Sequence, residues 1–211
     1  LHRVDRRQRQ MCIRDRTIIA VICFLCVSSL YIQAQKINHP SLLYTPQRIQ
    51  QVKQRMQHEP KLQEAWGDIK KTADKALQKK DFNRLDYLSL AYLMTDNKEY
   101  ADAIKEILLK AVEAESWGDV EMMARIPAWR SQLGMAHKSF LSAVGYDAAY
   151  NVMSSSERKK IAEGLKRLAV EPALGDWLLE PTRIHSLNSM GHNWWTSCVC
   201  QGGILLSLIH I

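Results

Sequence analysis

Between Thr45 and about Ala169, apolar residues return every three or four positions, and no stretch alternates apolar and polar over the length of a strand. That spacing confines the chain to helices. Thr45-Pro46 reads as a cap followed by proline at the first helical position, with Ile49, Val52 and Met56 on one face and Pro60 after the stop. A second helix is predicted over 62–79, with Trp66, Ile69, Ala73 and Leu77 inward, and a third over 84–95. A fourth is predicted over 99–114, facing inward through Tyr100, Ile104, Ile107, Leu108 and Ala111. A long helix follows over 129–152, and Ser155 or Ser156 caps another that reaches about Ala169. The connectors are short, such as Asp96-Asn97, Gly118-Asp119 and Met153-Ser154. The fold class is therefore all-α, built of antiparallel helical hairpins in a bundle or a toroid.

One stretch departs from plain packing. Residues 182–203, TRIHSLNSMGHNWWTSCVCQGG, hold one Arg, two His, two Asn and two adjacent Trp. Amide and imidazole groups beside indole faces suit a site for a polar, ring-shaped, anionic ligand. Trp129 and Arg130, expected at the N-terminus of the long helix, suit an anion as well. Tyr146 and Asp147 sit in Gly-Tyr-Asp-Ala-Ala-Tyr later in the same helix, where Tyr packing with Asp as a local acceptor competes with direct chemistry.

The two ends need separate treatment. MCIRDR and LSLIHI back-translate to runs that are reverse complements of each other apart from end nucleotides, and they resemble a sequencing-library adapter. Residues 1–16 and about 206–211 are accordingly expected to be translated adapter, flanking a piece of a longer protein. Residues 17–34 are apolar and end at Ile32-Gln33-Ala34, and they read as a secretory signal peptide rather than a stable membrane anchor. The net charge of +7 comes from 29 basic and 22 acidic residues, but residues 1–16 hold six Arg against two Asp. What remains is only mildly basic and gives no argument for a nucleic-acid partner. Of the five cysteines only Cys198 and Cys200 lie in the body, too close together for an easy bridge, and both are expected as buried small residues rather than metal ligands.

Three ordered segments carry a resemblance: HPSLLYTPQRIQQVKQRM, AWRSQLGMAHKSFLSAVGYDAAY and SLNSMGHNWWTSCVCQGG. Together they resemble the N-terminal region of heparinase II/III-type polysaccharide lyases, over nearly all of residues 38–205. The resemblance implies an incomplete (α/α) toroid, with a β-sandwich domain, a catalytic Tyr and a further His downstream. It implies a secreted or periplasmic enzyme that acts on an acidic polysaccharide; no cofactor is expected, and no metal site within these residues. His192-Asn193 matches the pair that contacts the uronate in such lyases, though some alginate-cleaving relatives have the order Asn-His. These two are the candidate catalytic residues. Trp194, Trp195, Arg183, His185, Trp129, Arg130 and Tyr146 are the candidate substrate-binding ones, with Trp194 favoured over Trp195 for the cleft because neighbours on a helix point about 100° apart.

Two other readings stay open. A glycoside hydrolase on the same toroid would need a general acid, for which Asp147, Asp176 or Glu180 are available. A non-catalytic glycan-binding protein would keep the Trp faces but need no His192-Asn193 clamp. On a packing-only reading, His192 and Asn193 merely cap a helix while both indoles are buried.

Overall fold

The computed structural model describes residues 38–179 and 192–209, and the unit considered begins at His39. The described residues are mostly helical and contain no strand, in agreement with the all-α expectation.

Helix α1 (Pro46–Met56) starts where the sequence places it, with the Thr45 hydroxyl accepting from the Arg48 N–H. Helix α2 (Pro60–Lys79) begins two residues before the expected start. Pro60 opens this helix rather than merely following the previous one, because a first-turn N–H has no intrahelical partner to lose. A short 3₁₀ turn at Phe82–Arg84 leads into α3 (Leu85–Thr95). Helix α4 (Lys98–Ala111) is capped by Asn97 and buries Tyr100, Ile104, Ile107 and Leu108. The links are short, and α3 packs against both α2 and α4. Helix α4 ends three residues before the expected 114. The Arg167 guanidinium takes up the carbonyls of Val112, Ala114 and Glu115 at 3.0, 2.9 and 2.8 Å, so the chain turns there instead of continuing.

A single turn, α5 (Val120–Met123), precedes α6 (Leu133–Ala149). Helix α6 is the axis of the unit. Every residue from Leu141 to Ala149 is buried, and the helix packs against α3, α4 and α8. Helix α7 (Ser155–Leu165) opens with a capping box in which the Ser154 hydroxyl takes the Glu157 N–H and the Glu157 carboxylate takes the Ser154 N–H. The cap is therefore Ser154, one residue before the expected pair. The helix does not stop near Ala169. It runs on through a π-helical stretch at Lys166–Val170, an α-turn at Glu171–Leu174 and a second π stretch at Gly175–Leu179. A third π stretch, Trp195–Cys200, enters α8 (Gln201–Ile209). Leu208 and Ile209, in the segment set aside above as adapter, lie buried in the core cluster.

Two glycines give opposite expectations for the same change. A Cβ on Gly164 of α7 would stand 2.4 Å from Val112 Cβ and 2.7 Å from its Cγ1, whereas one on Gly67 of α2 meets nothing within 4 Å. Gly164→Ala is expected to destabilise by about 1–3 kcal/mol through overpacking. Gly67→Ala is expected to stabilise by about 0.5–1 kcal/mol, because alanine restricts the unfolded chain and favours the helix. Urea unfolding of the two variants side by side checks both signs.

Candidate functional site

The largest departure from the expected elements is the start of the long helix. Residues 129–132 are not helical; α6 begins at Leu133 after an extended Gln132. The reason lies 45 residues downstream. The Asp176 carboxylate accepts the backbone N–H groups of both Arg130 and Ser131 at 2.7 Å, and the Ser131 hydroxyl donates to the Pro172 carbonyl at 3.0 Å. The anion expected near the N-terminus of this helix is thus the chain's own carboxylate, just ahead of the first turn. The Arg130 guanidinium lies 3.7 Å from the other Asp176 oxygen.

These contacts fix Trp129. Its N–H donates to the Met122 carbonyl at 3.0 Å, and its own carbonyl accepts from the Gln132 side-chain amide at 2.7 Å. The same Gln132 amide accepts the Asp119 N–H at 2.8 Å. Trp129 meets Trp194 edge to face, with centroids 5.1 Å apart and planes at 69°. The Arg125 guanidinium lies 5.4 Å over the Trp129 ring. Behind the indoles are the small buried residues Ala136 and Cys198, with Trp177 packed on the same cluster. Trp195 points elsewhere on its helix and meets Trp177 at 6.1 Å, nearly perpendicular.

Two of the three π stretches among the described residues supply this end of the unit, Gly175–Leu179 with Asp176 and Trp177, and Trp195–Cys200 with Trp195 and Cys198. Wide turns of this kind shift the side-chain register and often mark functional positions.

His192 and Asn193 are both exposed, just ahead of Trp194. The Trp194 N–H donates to His192 Nδ1 at 3.1 Å, and the Trp195 N–H donates to the His192 carbonyl at 3.0 Å. The imidazole thus caps the helix that carries both tryptophans. An accepting Nδ1 leaves the ring proton on Nε2, which makes the exposed edge of His192 a donor. Arg183, His185 and Glu180 lie outside the described residues.

The predicted residues therefore divide. Trp129, Arg130, Trp194 and Trp195 come together with His192 and Asn193 at one end of the unit. Tyr146 does not join them. It is 4 % exposed within the core, 13 positions beyond the start of α6, or about 20 Å along the helix. Burial pushes its hydroxyl up to about 12, and it packs edge-on against Tyr150 at 5.6 Å. A side chain in that place fills the core and offers no face to a ligand.

Asp147 is a structural clasp. Its carboxylate accepts from His39 Nδ1 at 2.7 Å, from the Ser41 N–H at 2.9 Å, from the Leu42 N–H at 2.8 Å and from the Ser41 hydroxyl at 3.3 Å. His39 also stacks on Tyr150 with ring centroids 3.8 Å apart. The lead-in to α1 is pinned in this way to the far end of α6.

Sequence reasoning did not single out Trp177, Ala136 or Cys198 as parts of this site. Trp177 sits in Gly-Asp-Trp-Leu-Leu, with nothing local to mark it. Cys198 is buried as expected, whereas Cys200 is exposed. Burial, and next the Asp176 charge, push the Cys198 thiol up to about 12. Alkylation of the native protein is therefore expected to modify Cys200 at least on the order of tenfold faster than Cys198, as read by peptide mass mapping.

Among the described residues, no group of three or more His, Cys, Asp or Glu is arranged to hold a metal ion, and no helix is long and apolar enough to cross a membrane. Compared with known proteins, the chain matches no family model and no curated protein.

Proposed function

We propose that the chain is the helical part of a secreted or periplasmic polysaccharide lyase. Its helices would belong to an (α/α) toroid, and it would cleave a uronate-containing polymer by β-elimination. The observation that carries this reading is the edge-to-face pair Trp129–Trp194 beside exposed His192 and Asn193, with Arg125 and Arg130 close by.

The chemistry asks for those groups. β-Elimination removes the proton at C5 of the uronate and expels the C4 oxygen. The C5 proton becomes acidic enough only when the neighbouring carboxylate is neutralised, so donors must already stand where negative charge develops. The Asn193 amide donates without acting as a base. The Nε2–H edge of His192 serves as a second donor, since its Nδ1 is taken by the helix it caps. That favours carboxylate binding over proton abstraction for His192, and it leaves the base to the Tyr and His that the resemblance implies further along. The indoles hold sugar rings, and the arginines suit an adjoining acidic sugar.

The hydrolase alternative is weakened, because Asp147 and Asp176 are each occupied by two backbone amides. The glycan-binding alternative is favoured by one observation, the cap from the Trp194 N–H to His192 Nδ1, which gives His192 a structural duty that needs no catalysis.

The test is to express the full reading frame recovered from the source DNA and to screen uronate polymers for the ultraviolet absorbance of an unsaturated product. Absorbance that is lost in a His192→Ala, Asn193→Ala double variant supports the lyase. Binding without absorbance, unchanged in the double variant, supports glycan binding instead.

A further inference from the structure

A concave site lies away from the indole cluster and shares no lining residue with it. It is a cleft of about 580 Å³ between the ends of α2 and α4, the 3₁₀ turn at Phe82 and the chain around Trp117. That volume falls within the range of small-molecule sites, about 300–1,000 Å³. Its floor is apolar, made by Phe82, Ile107, Ala111, Ala114 and Trp117. The floor is also fixed in place. Trp117 is 7 % exposed, donates its indole N–H to the Ala111 carbonyl at 3.4 Å and meets Phe82 edge-on at 6.1 Å.

Charge surrounds this floor. Lys79, Lys80, Lys110 and Lys138 line the cleft against one acid, Glu106. Glu106 pairs with Lys80 at 2.5 Å, on the exposed rim. Lys79, Lys110 and Lys138 pair with no carboxylate among the described residues, and the Lys138 ammonium lies 6.0 Å over the Trp117 ring. The bland reading is that lysines at the ends of α2 and α4 offset the helix dipoles. Each helix end contributes about half a negative charge. Two such ends do not cancel the net three positive charges around the cleft.

We propose that this cleft binds a small amphipathic anion, an apolar ring or chain bearing a carboxylate, sulfonate or phosphate. The apolar body would lie on the Phe82–Trp117 floor, with the acidic group held by Lys110 and Lys138. The proposal does not depend on the lyase reading.

The probe is 1-anilinonaphthalene-8-sulfonate, titrated by fluorescence into the purified chain beside N-phenyl-1-naphthylamine, which has the same rings without the charge. The sulfonate is expected to bind saturably at one site, about tenfold more tightly than the neutral compound. Lys110→Gln with Lys138→Gln is expected to weaken the sulfonate by about tenfold, and Ala114→Trp to abolish binding by filling the floor. Lys71→Gln with Lys75→Gln, exposed on α2 and outside the cleft, should leave the affinity within about twofold. Circular dichroism melts establish that each variant is folded. The lysine pair is exposed to half-buried, so it tests the proposal even if Ala114→Trp fails to fold. Equal affinity for the neutral compound, insensitivity to Lys110 and Lys138, or an absence of saturable binding each overturns the proposal.

Discussion

Asp147→Ala is expected to cost about 3–5 kcal/mol of folding stability, the largest effect of any single change considered for this chain. The carboxylate is 3 % exposed and receives His39 Nδ1, two backbone N–H groups and a hydroxyl. Alanine leaves all of these donors without an acceptor, in a place where water reaches poorly. The contacts span more than 100 residues of sequence, so their loss also frees the lead-in to α1 from the end of α6. Asp147→Asn keeps one acceptor oxygen and should fall between the two. Chemical denaturation measures both variants; a loss under about 1 kcal/mol for alanine would mean that the clasp is replaced by solvent.

The second large effect belongs to Asp176. Asp176→Ala is expected to cost about 2–4 kcal/mol, since the buried N–H groups of Arg130 and Ser131 lose their acceptor. Asp176→Asn is expected to cost far less at neutral pH. Burial is the main influence on this carboxyl and raises its pKa above the ordinary range, although the amides of Ser131 and Arg130 and the Arg130 charge pull the other way. The folded state therefore holds the proton to a higher pH than the unfolded state, where the pKa is about 3.9. Ionised Asp176 opposes folding above its folded pKa, and this burden is relieved as pH falls through that value. Wild type should accordingly gain stability relative to Asp176→Asn between neutral and mildly acidic pH. Urea unfolding at the two pH values reads the sign. Tryptophan emission should shift in Asp176→Ala, because Trp129 loses the neighbouring anchors that set its backbone.

The helices were legible where local chemistry governs them. Thr45-Pro46 announces α1, and Asn97 announces α4 after a two-residue link. The inward faces of α2 and α4 follow from spacing alone. The start of α6 was not legible. Trp129 to Gln132 continue a helical pattern in the sequence, and the amides that would enter the helix are claimed by Asp176, whose position along the chain gives no warning. The separation of Tyr146 from the indoles was hidden for a related reason: from Leu141 to Ala149 α6 is buried on every side, so no polar face distinguishes a site from a core. The end of α7 was missed because π turns carry the helix past Ala169 through Pro172 and Gly175. Of the candidate site, the residue types at 192–195 were legible in the sequence, but their indole partners Trp129 and Trp177 come from two other elements. Pairing at that distance in sequence is a product of packing.

The most direct measurement is calorimetric titration of a uronate oligosaccharide into the chain and into Trp194→Ala, with Tyr146→Phe as a control. If the indole end grips the polymer, Trp194→Ala weakens binding by about tenfold or more while Tyr146→Phe leaves it unchanged. Equal affinity in Trp194→Ala and wild type would contradict the assignment and reduce the tryptophan cluster to packing.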